Sequence, residues 1–311
     1  MVAAAPPYVE VDGQAVAPGA WGRLALLSHG HFTVLQVRAG GCRGLTFHLE
    51  RLDTAHRELY GKPLGGERVR ARIRQALAAF LQVTGPPHTC DAPRFPVGGL
   101  ALDTPQTALP AESSPGTAPV GAAHGCVTAA AVGAAAMDAT VRVIATDPAG
   151  DGPGEIIVVV GPPADAPPTP RRLMSVHYTR PFPHIKHLGT FGQLEHARLA
   201  HRRGFDEALL TWPDGTIAEG ARTNIGFLAG ETVTWPDAPC LTGVTMALLE
   251  RTTDSTRAPV RLEDLARYDG AVVTNSRGLA PVAAIDDHQF AGSTFTEELS
   301  RRYHAIPHDT I

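Results

Sequence analysis

The stretch RPFPHIKHLGTFGQLEHARLAHRRGFDEALLTWPDGTIAEGARTNIGF, residues 180–227, organises this chain. It sets one lysine, Lys186, just ahead of an amphipathic helix, and one glutamate, Glu219, in a glycine-flanked turn between strands. Lys62 is the only other lysine, and the rest of the 27 basic residues are arginines. Arginine stays protonated under protein conditions, whereas a desolvated lysine can become a neutral amine that attacks a carbonyl. A chain that draws nearly all its positive charge from arginine has kept an amine here. Schiff-base chemistry is the first expectation.

The whole chain of 311 residues has room for two domains. A hydrophobic fraction of 43% with 19% charged residues is that of a soluble globular protein with a sizeable core. A net charge of −4 gives no electrostatic case for a nucleic-acid or membrane partner. Cys42, Cys90, Cys126 and Cys240 form no CxxC pair, so reduced thiols in a cytoplasmic protein are expected, without a zinc site. No HxxxH or related spacing supports a metal. The start MVAAAPPYVEVDG lacks the basic opening and apolar run of a signal peptide. Apolar runs such as 156–160 are strand-sized, well short of a membrane span.

Residues 8–49 read as antiparallel strands joined by glycine turns: YVEVDG, HFTVLQVRAGG and CRGLTFHL. From Glu50 the period becomes helical and stops at Gly61. A second helix is expected from about Gly66 to Val83, with Val69, Ile73, Ala76, Leu77 and Phe80 as its buried stripe. Strands first and helices after make a small α+β unit. Residues 85–138 hold no period and are rich in Pro, Ala, Gly, Thr and Ser, the composition of a mobile surface insertion or a lid. Strands follow at 139–147 and 154–161, then the extended proline run 162–170. The expected division is a small N-terminal domain at 1–161, a linker and strand at 162–180, and a larger domain at 181–311. In the larger domain a helix over 190–203 precedes strands at 206–212, 216–218, 224–229 and 231–235. Helices are expected after LTG (241–243), in VRLEDLARYDG and in FTEELSRRYHA, with strands in GAVVTNS (270–276) and APVAAIDDHQF.

Four segments in order, HLERL (48–52), IKHLG (185–189), GFDEALLTWPDGTIAEGARTNIGF (204–227) and the pair LTGVT (241–245) with TNSRG (274–278), resemble the class IV aminotransferases. The resemblance spans nearly the whole chain except 85–138. It implies the fold-type IV architecture of pyridoxal 5′-phosphate enzymes, with a small α+β domain and a larger α/β domain shaped as a pseudo-barrel. It implies that Lys186 forms the Schiff base and moves the α-proton. Glu219 would face the pyridine nitrogen, although taken alone DGTIAEG reads as an exposed polar turn. The phosphate would sit at Gly243, Val244 and Thr245, where a helix starts with free N–H groups. Asn275, Ser276 and Arg51 would complete that anchor, the arginine by a bidentate contact. A homodimer, with amino acid and 2-oxo acid substrates, is also implied.

Three positions depart from the branched-chain members of the family. Phe191 stands where a tyrosine reaches the cofactor, Gln36 replaces a glutamate, and Met246 replaces an arginine. Lys186-His187-Leu188 and Phe32-Thr33 resemble the lyase branch instead, while EGARTN is closer to the aminotransferases. For the substrate carboxylate the resemblance points to Arg142, with Arg222 and Arg277 as alternatives. His29, His31 and His187 are expected to line the cleft, together with Gln36. The function implied is transamination. The alternative is elimination releasing pyruvate, as in 4-amino-4-deoxychorismate lyase, and a third reading is a non-catalytic relative.

Overall fold

Alternation along the early strands explains the first half of the molecule. The computed structural model describes residues 7–17, 21–84, 137–150 and 152–311. The expectation of a mobile insertion at 85–138 lies outside these, apart from residues 137 and 138. Strands β1 (Tyr8–Val11), β2 (Gln14–Ala15), β3 (His31–Val37), β5 (Ala139–Thr146) and β6 (Glu155–Gly161) form a five-stranded sheet in the order β2-β1-β6-β5-β3. Successive side chains on a strand point to opposite faces. Leu35, Val37, Val141, Val143, Ile156 and Val158 therefore meet one side, where they pack with Leu52, Val69 and Ile73. Those three belong to helices α2 (Leu45–Tyr60) and α3 (Gly66–Thr84). Phe32, Val34, Gln36, Thr140, Arg142 and Ile144 take the other face and wall a cavity.

Two local expectations fail here. CRGLTFHL is not a strand beyond Gly41–Cys42 (β4); helix α2 starts at Leu45 rather than at Glu50. Gly44, with φ 68°, turns the chain, and Asp309 Oδ2 accepts the Leu45 N–H at 2.7 Å, satisfying a helix-start donor from the far end of the chain. The short strand β16 (Asp309–Thr310), paired with β4, brings that carboxylate into place. Helix α1 (Trp21–Ala25) was not anticipated either.

The second half is one mixed sheet. Strands β7 (Arg171–His177), β8 (Glu207–Thr211), β9 (Ile217–Gly220), β10 (Asn224–Ala229), β11 (Thr232–Pro236), β12 (Ser255–Ala258), β13 (Gly270–Asn275) and β14 (Gly278–Ile285) run in the order β12-β11-β10-β13-β14-β7-β8-β9. A further strand, β15 (His288–Gln289), pairs with β14. Helix α4 (Phe191–Arg202) links the parallel strands β7 and β8 and packs Ala197 and Ala200 on Met174, Ala208 and Leu210. The opposite side of the sheet buries Leu173, Leu209, Ile217, Ile225 and Phe227. Helices α5 (Val244–Thr252) and α6 (Phe295–Ala305) share a third cluster with Trp235, Leu249, Leu299 and Tyr303. Residues 262–267 form a 3-10 helix.

Glu219 is also placed differently from the expected turn. It lies inside β9, 5% exposed, and the polar turn ends before Ile217. The register is irregular: Leu210 faces Glu219, but Thr211 faces Ile217, leaving Ala218 as an extra residue. Such a bulge breaks the two-residue alternation. Ile217 stays with Leu209 in the core, while Glu219 moves to the side of Leu210 and the cavity.

Candidate active site between the two sheets

Residues 178–190 join β7 to α4 and bind the edge of the small sheet on the way. Phe32 N–H donates to Lys186 O at 2.8 Å, and Leu188 N–H donates to Gly30 O at 2.9 Å. The lysine backbone is thus added to β3 as a further short pairing. Its side chain lies over the Phe32 ring, with Nζ 5.0 Å from the centroid. A cavity of about 1140 Å³ lies between the sheets, lined by Lys186, Glu219, Arg51, Arg142 and the start of α5. This is large enough for a cofactor and a small substrate together.

No carboxylate pairs with Lys186 Nζ among the described residues. Burial, then Arg51 and Arg180, push its pKa down to about 7, while Glu219 opposes them. The buried Glu219 carboxyl is pushed upward by desolvation, against the pull of Arg180 and of the Leu241 N–H. That N–H donates to Glu219 Oε2 at 3.2 Å, and Arg180 Nη1 lies 3.5 Å from Oε1. The site therefore holds an amine that can be neutral near neutral pH beside a carboxylate tied at both oxygens.

One end of the cavity suits an anion. Gly243, Val244 and Thr245 open α5, where backbone N–H groups lack intrahelical partners. A side chain at Gly243 would collide with Asn224 Oδ1, whose amide Nδ2 donates to Leu241 O at 2.6 Å. Arg51 donates through Nη2 to Thr242 O at 2.6 Å, and burial followed by Arg180 pushes its pKa down to about 10. Ser276 lines the same end, with no hydrogen-bond partner among the described residues. The Thr245 hydroxyl differs from expectation. It donates to Asn275 O at 2.6 Å, so it ties α5 to the turn after β13 instead of standing free. The Asn275 side chain accepts the Arg277 N–H at 2.8 Å and caps that turn.

The substrate candidates divide. Arg142 projects from β5 into the cavity, its guanidinium carbon 4.7 Å from the Phe32 centroid, with no acid partner among the described residues. Arg222 and Arg277 also line the cavity and are exposed. Gln36 lines it too, its Oε1 accepting from Thr140 Oγ1 and Ala164 N, both at 3.0 Å. His31 does not reach the cavity. It sits on the helix-facing side of β3, 1% exposed, with Nε2 3.2 Å from His56 Nδ1. Strand alternation puts it opposite Phe32. His29 turns to the Tyr60 hydroxyl, and His187 to Pro181 O.

Phe191, at the start of α4, is 81% exposed, and Met246 is buried in the core at 1%. Neither reaches the cavity. Two contributors escaped the sequence reading. Arg180 is one arginine among many, and nothing local marks it as buried. His48 lines the cavity and bonds Thr33 Oγ1 through Nδ1 at 2.7 Å. Its place three residues before Arg51 was the available signal, since both then share one helix face.

The comparisons with known proteins bear on the family and the fold. The family model for amino-transferase class IV matches residues 127–285. No curated protein matches the sequence. Among solved structures, a hypothetical aminotransferase from Mycobacterium tuberculosis in its PLP-bound form is 17% identical with a TM-score of 0.67, covering 96% of this chain and 98% of that one. A fold IV transaminase from Curtobacterium pusillum is 19% identical with a TM-score of 0.64, covering 89% and 86%. A mutant branched-chain amino acid aminotransferase from Thermobaculum terrenum is 14% identical with a TM-score of 0.67, covering 96% and 92%. These likenesses show the fold.

Proposed function

We infer the roles of the site residues from one premise: the chain belongs to the amino-transferase class IV family. It is an aminotransferase, and it moves an amino group between an amino acid and a 2-oxo acid. Its cofactor is pyridoxal 5′-phosphate, which supplies the electron sink that lets a substrate Cα–H bond ionise. The residues present fit that group. One amine without an acid partner among the described residues, one buried carboxylate and one helix start with Arg51 beside it meet in a single cavity.

The observation that carries the reading is Lys186. Its amine lines the cavity without an acid partner among the described residues, and burial pushes its pKa down to about 7, so it can hold the cofactor's aldehyde carbon and serve as base for the substrate Cα proton. Glu219 would hold a proton on the pyridine nitrogen. The N–H groups of Gly243, Val244 and Thr245, the Ser276 hydroxyl, the Asn275 turn and Arg51 would bind the phosphate. Arg142 would orient the substrate carboxylate, with Arg222 and Arg277 at the same cavity. Gln36 would face the substrate, whereas His31 has no part in this reading.

Elimination gains nothing specific from the site. His187 turns away to Pro181 O, so the Lys-His-Leu run brings no second acid–base group into the cavity. The division into domains at 1–161 and 181–311, a homodimeric assembly and a cytoplasmic location belong to the same proposal. The two sheets support the division. Free Cys42 and Cys240 fit a reducing compartment. No helix among the described residues is long and apolar enough to cross a membrane.

The test is spectroscopic. The purified chain mixed with cofactor should gain a visible band that alanine or glutamate bleaches and a 2-oxo acid restores. Lys186→Ala should show neither change. Pyruvate released from aminodeoxychorismate over many turnovers per site, with no oxo-acid acceptor, would favour elimination instead.

A further inference from the structure

Arg180 is the one arginine buried outright among the described residues, 6% exposed. Burying a guanidinium is costly, because it cannot shed its proton. Here the charge has three partners. Nη2 donates to Ile185 O at 2.5 Å, Nη1 donates to Pro183 O at 3.2 Å, and Nη1 lies 3.5 Å from Glu219 Oε1. Its Nε is buried without a partner among the described residues. Both carbonyls belong to the loop that carries Lys186. That loop holds Phe182 at φ 45°, a left-handed conformation that a non-glycine residue adopts only when its surroundings enforce it.

We propose that Arg180 is the positioning residue of this site: one buried guanidinium fixes the loop that presents Lys186 and aims the Glu219 carboxylate into the cavity. The proposal rests on the roles given above to Lys186 and Glu219. A planar fork is suited to this task, since it can reach two carbonyls and a carboxylate at once, whereas an ammonium is a point charge on a flexible stem. Glu219 Oε2 is held by the Leu241 N–H, so removing Arg180 frees the other oxygen and the loop together. The same guanidinium also acts electrostatically on Lys186 and on Glu219.

Arg180→Lys and Arg180→Gln, made in the full chain, separate fork from charge. Only two lysines exist, so acetylation of the cofactor-free protein, followed peptide by peptide in a mass spectrometer, reads Lys186 directly. Lys62, which pairs with Asp147, serves as reference. In Arg180→Gln the pH midpoint of Lys186 acetylation should rise by about one unit, because a positive neighbour is gone. Arg180→Lys keeps the charge and should hold the midpoint within a few tenths. Its kcat should still fall by about 100-fold with KM little changed, the scale of a misplaced reacting group. A purely structural arginine would lower the melting temperature and leave the midpoint alone. A folded Arg180→Gln protein with wild-type midpoint and kcat overturns the proposal.

If neither variant folds, the double variant Arg180→Gln with Glu219→Gln leaves no lone buried charge, and its Lys186 midpoint should lie above that of Glu219→Gln alone. Equal midpoints in the two overturn the proposal. Full turnover and colour in Lys186→Ala would instead remove the underlying assignment of Lys186, independently of Arg180.

Discussion

The Lys186 amine lies over the Phe32 ring, 5.0 Å from its centroid. An aromatic face attracts the protonated amine. Burial and the two neighbouring arginines act more strongly in the other direction, and the pKa settles at about 7. Lys186 is thus a charge the fold tolerates poorly. The unfolded chain takes up this proton as pH falls through 10.5, and the folded chain does so only near 7. Between those values stability falls with falling pH, and the full cost is present below about 7. Lys186→Met should therefore raise the melting temperature of the cofactor-free protein at neutral pH by about 3–8 °C. The gain should shrink as pH approaches 10.5, and equal gains at both ends would refute the argument.

Three histidines act at the acid end of the pH profile, in the same direction. His31 and His48 are buried with pKa values pushed down to about 3, chiefly by desolvation, and His56 is lowered for the same reason. The unfolded chain protonates His31 and His48 near 6.5, so the stability they give above that pH is lost as pH falls toward 3. These two each contribute a slope of about 1.4 kcal/mol per pH unit in that window. Urea unfolding at pH 7, 6 and 5 should show the decline, and His31→Phe should make it shallower.

The start of α5 leaves no room for a side chain at its N-cap. In Gly243→Ala the added methyl meets Asn224 Oδ1, and Asn224 must give up its bond to Leu241 O or push the helix start aside. The phosphate end should loosen, with cofactor Kd rising about tenfold or more, the loss of one charge-assisted hydrogen bond. Absorbance titration measures this directly. Gly204→Ala, where the built methyl meets nothing, is a control for general disturbance only, because its backbone φ of 81° already strains the new side chain.

Arg142 should separate substrate from cofactor. It has no acid partner among the described residues and rests on Phe32. Arg142→Ala should raise KM for the 2-oxo acid by about 10–100-fold, the cost of one charged hydrogen bond or two. Cofactor Kd should stay unchanged. If KM is unaffected while Arg222→Ala or Arg277→Ala raises it, the carboxylate lies at one of those residues.

What was legible in the sequence was local. The scarcity of lysine singled out Lys186, and the alternation in HFTVLQV marked a strand, yet His31 and Gln36 were both expected in the cleft although an odd and an even position take opposite faces. The order of four short segments indicated the family. Three placements were settled only by tertiary structure. Glu219 faces the cavity because Ala218 bulges against β8, and a bulge depends on the partner strand's register. Arg180 meets Glu219 across 39 residues of chain, and no spacing distinguishes that arginine from those left at the surface. The beginning of α2 depends on a carboxylate from Asp309, 264 residues away. Periodicity tells which face a residue occupies while the strand stays regular. It cannot tell where regularity breaks, or which distant group offsets the desolvation of a buried charge.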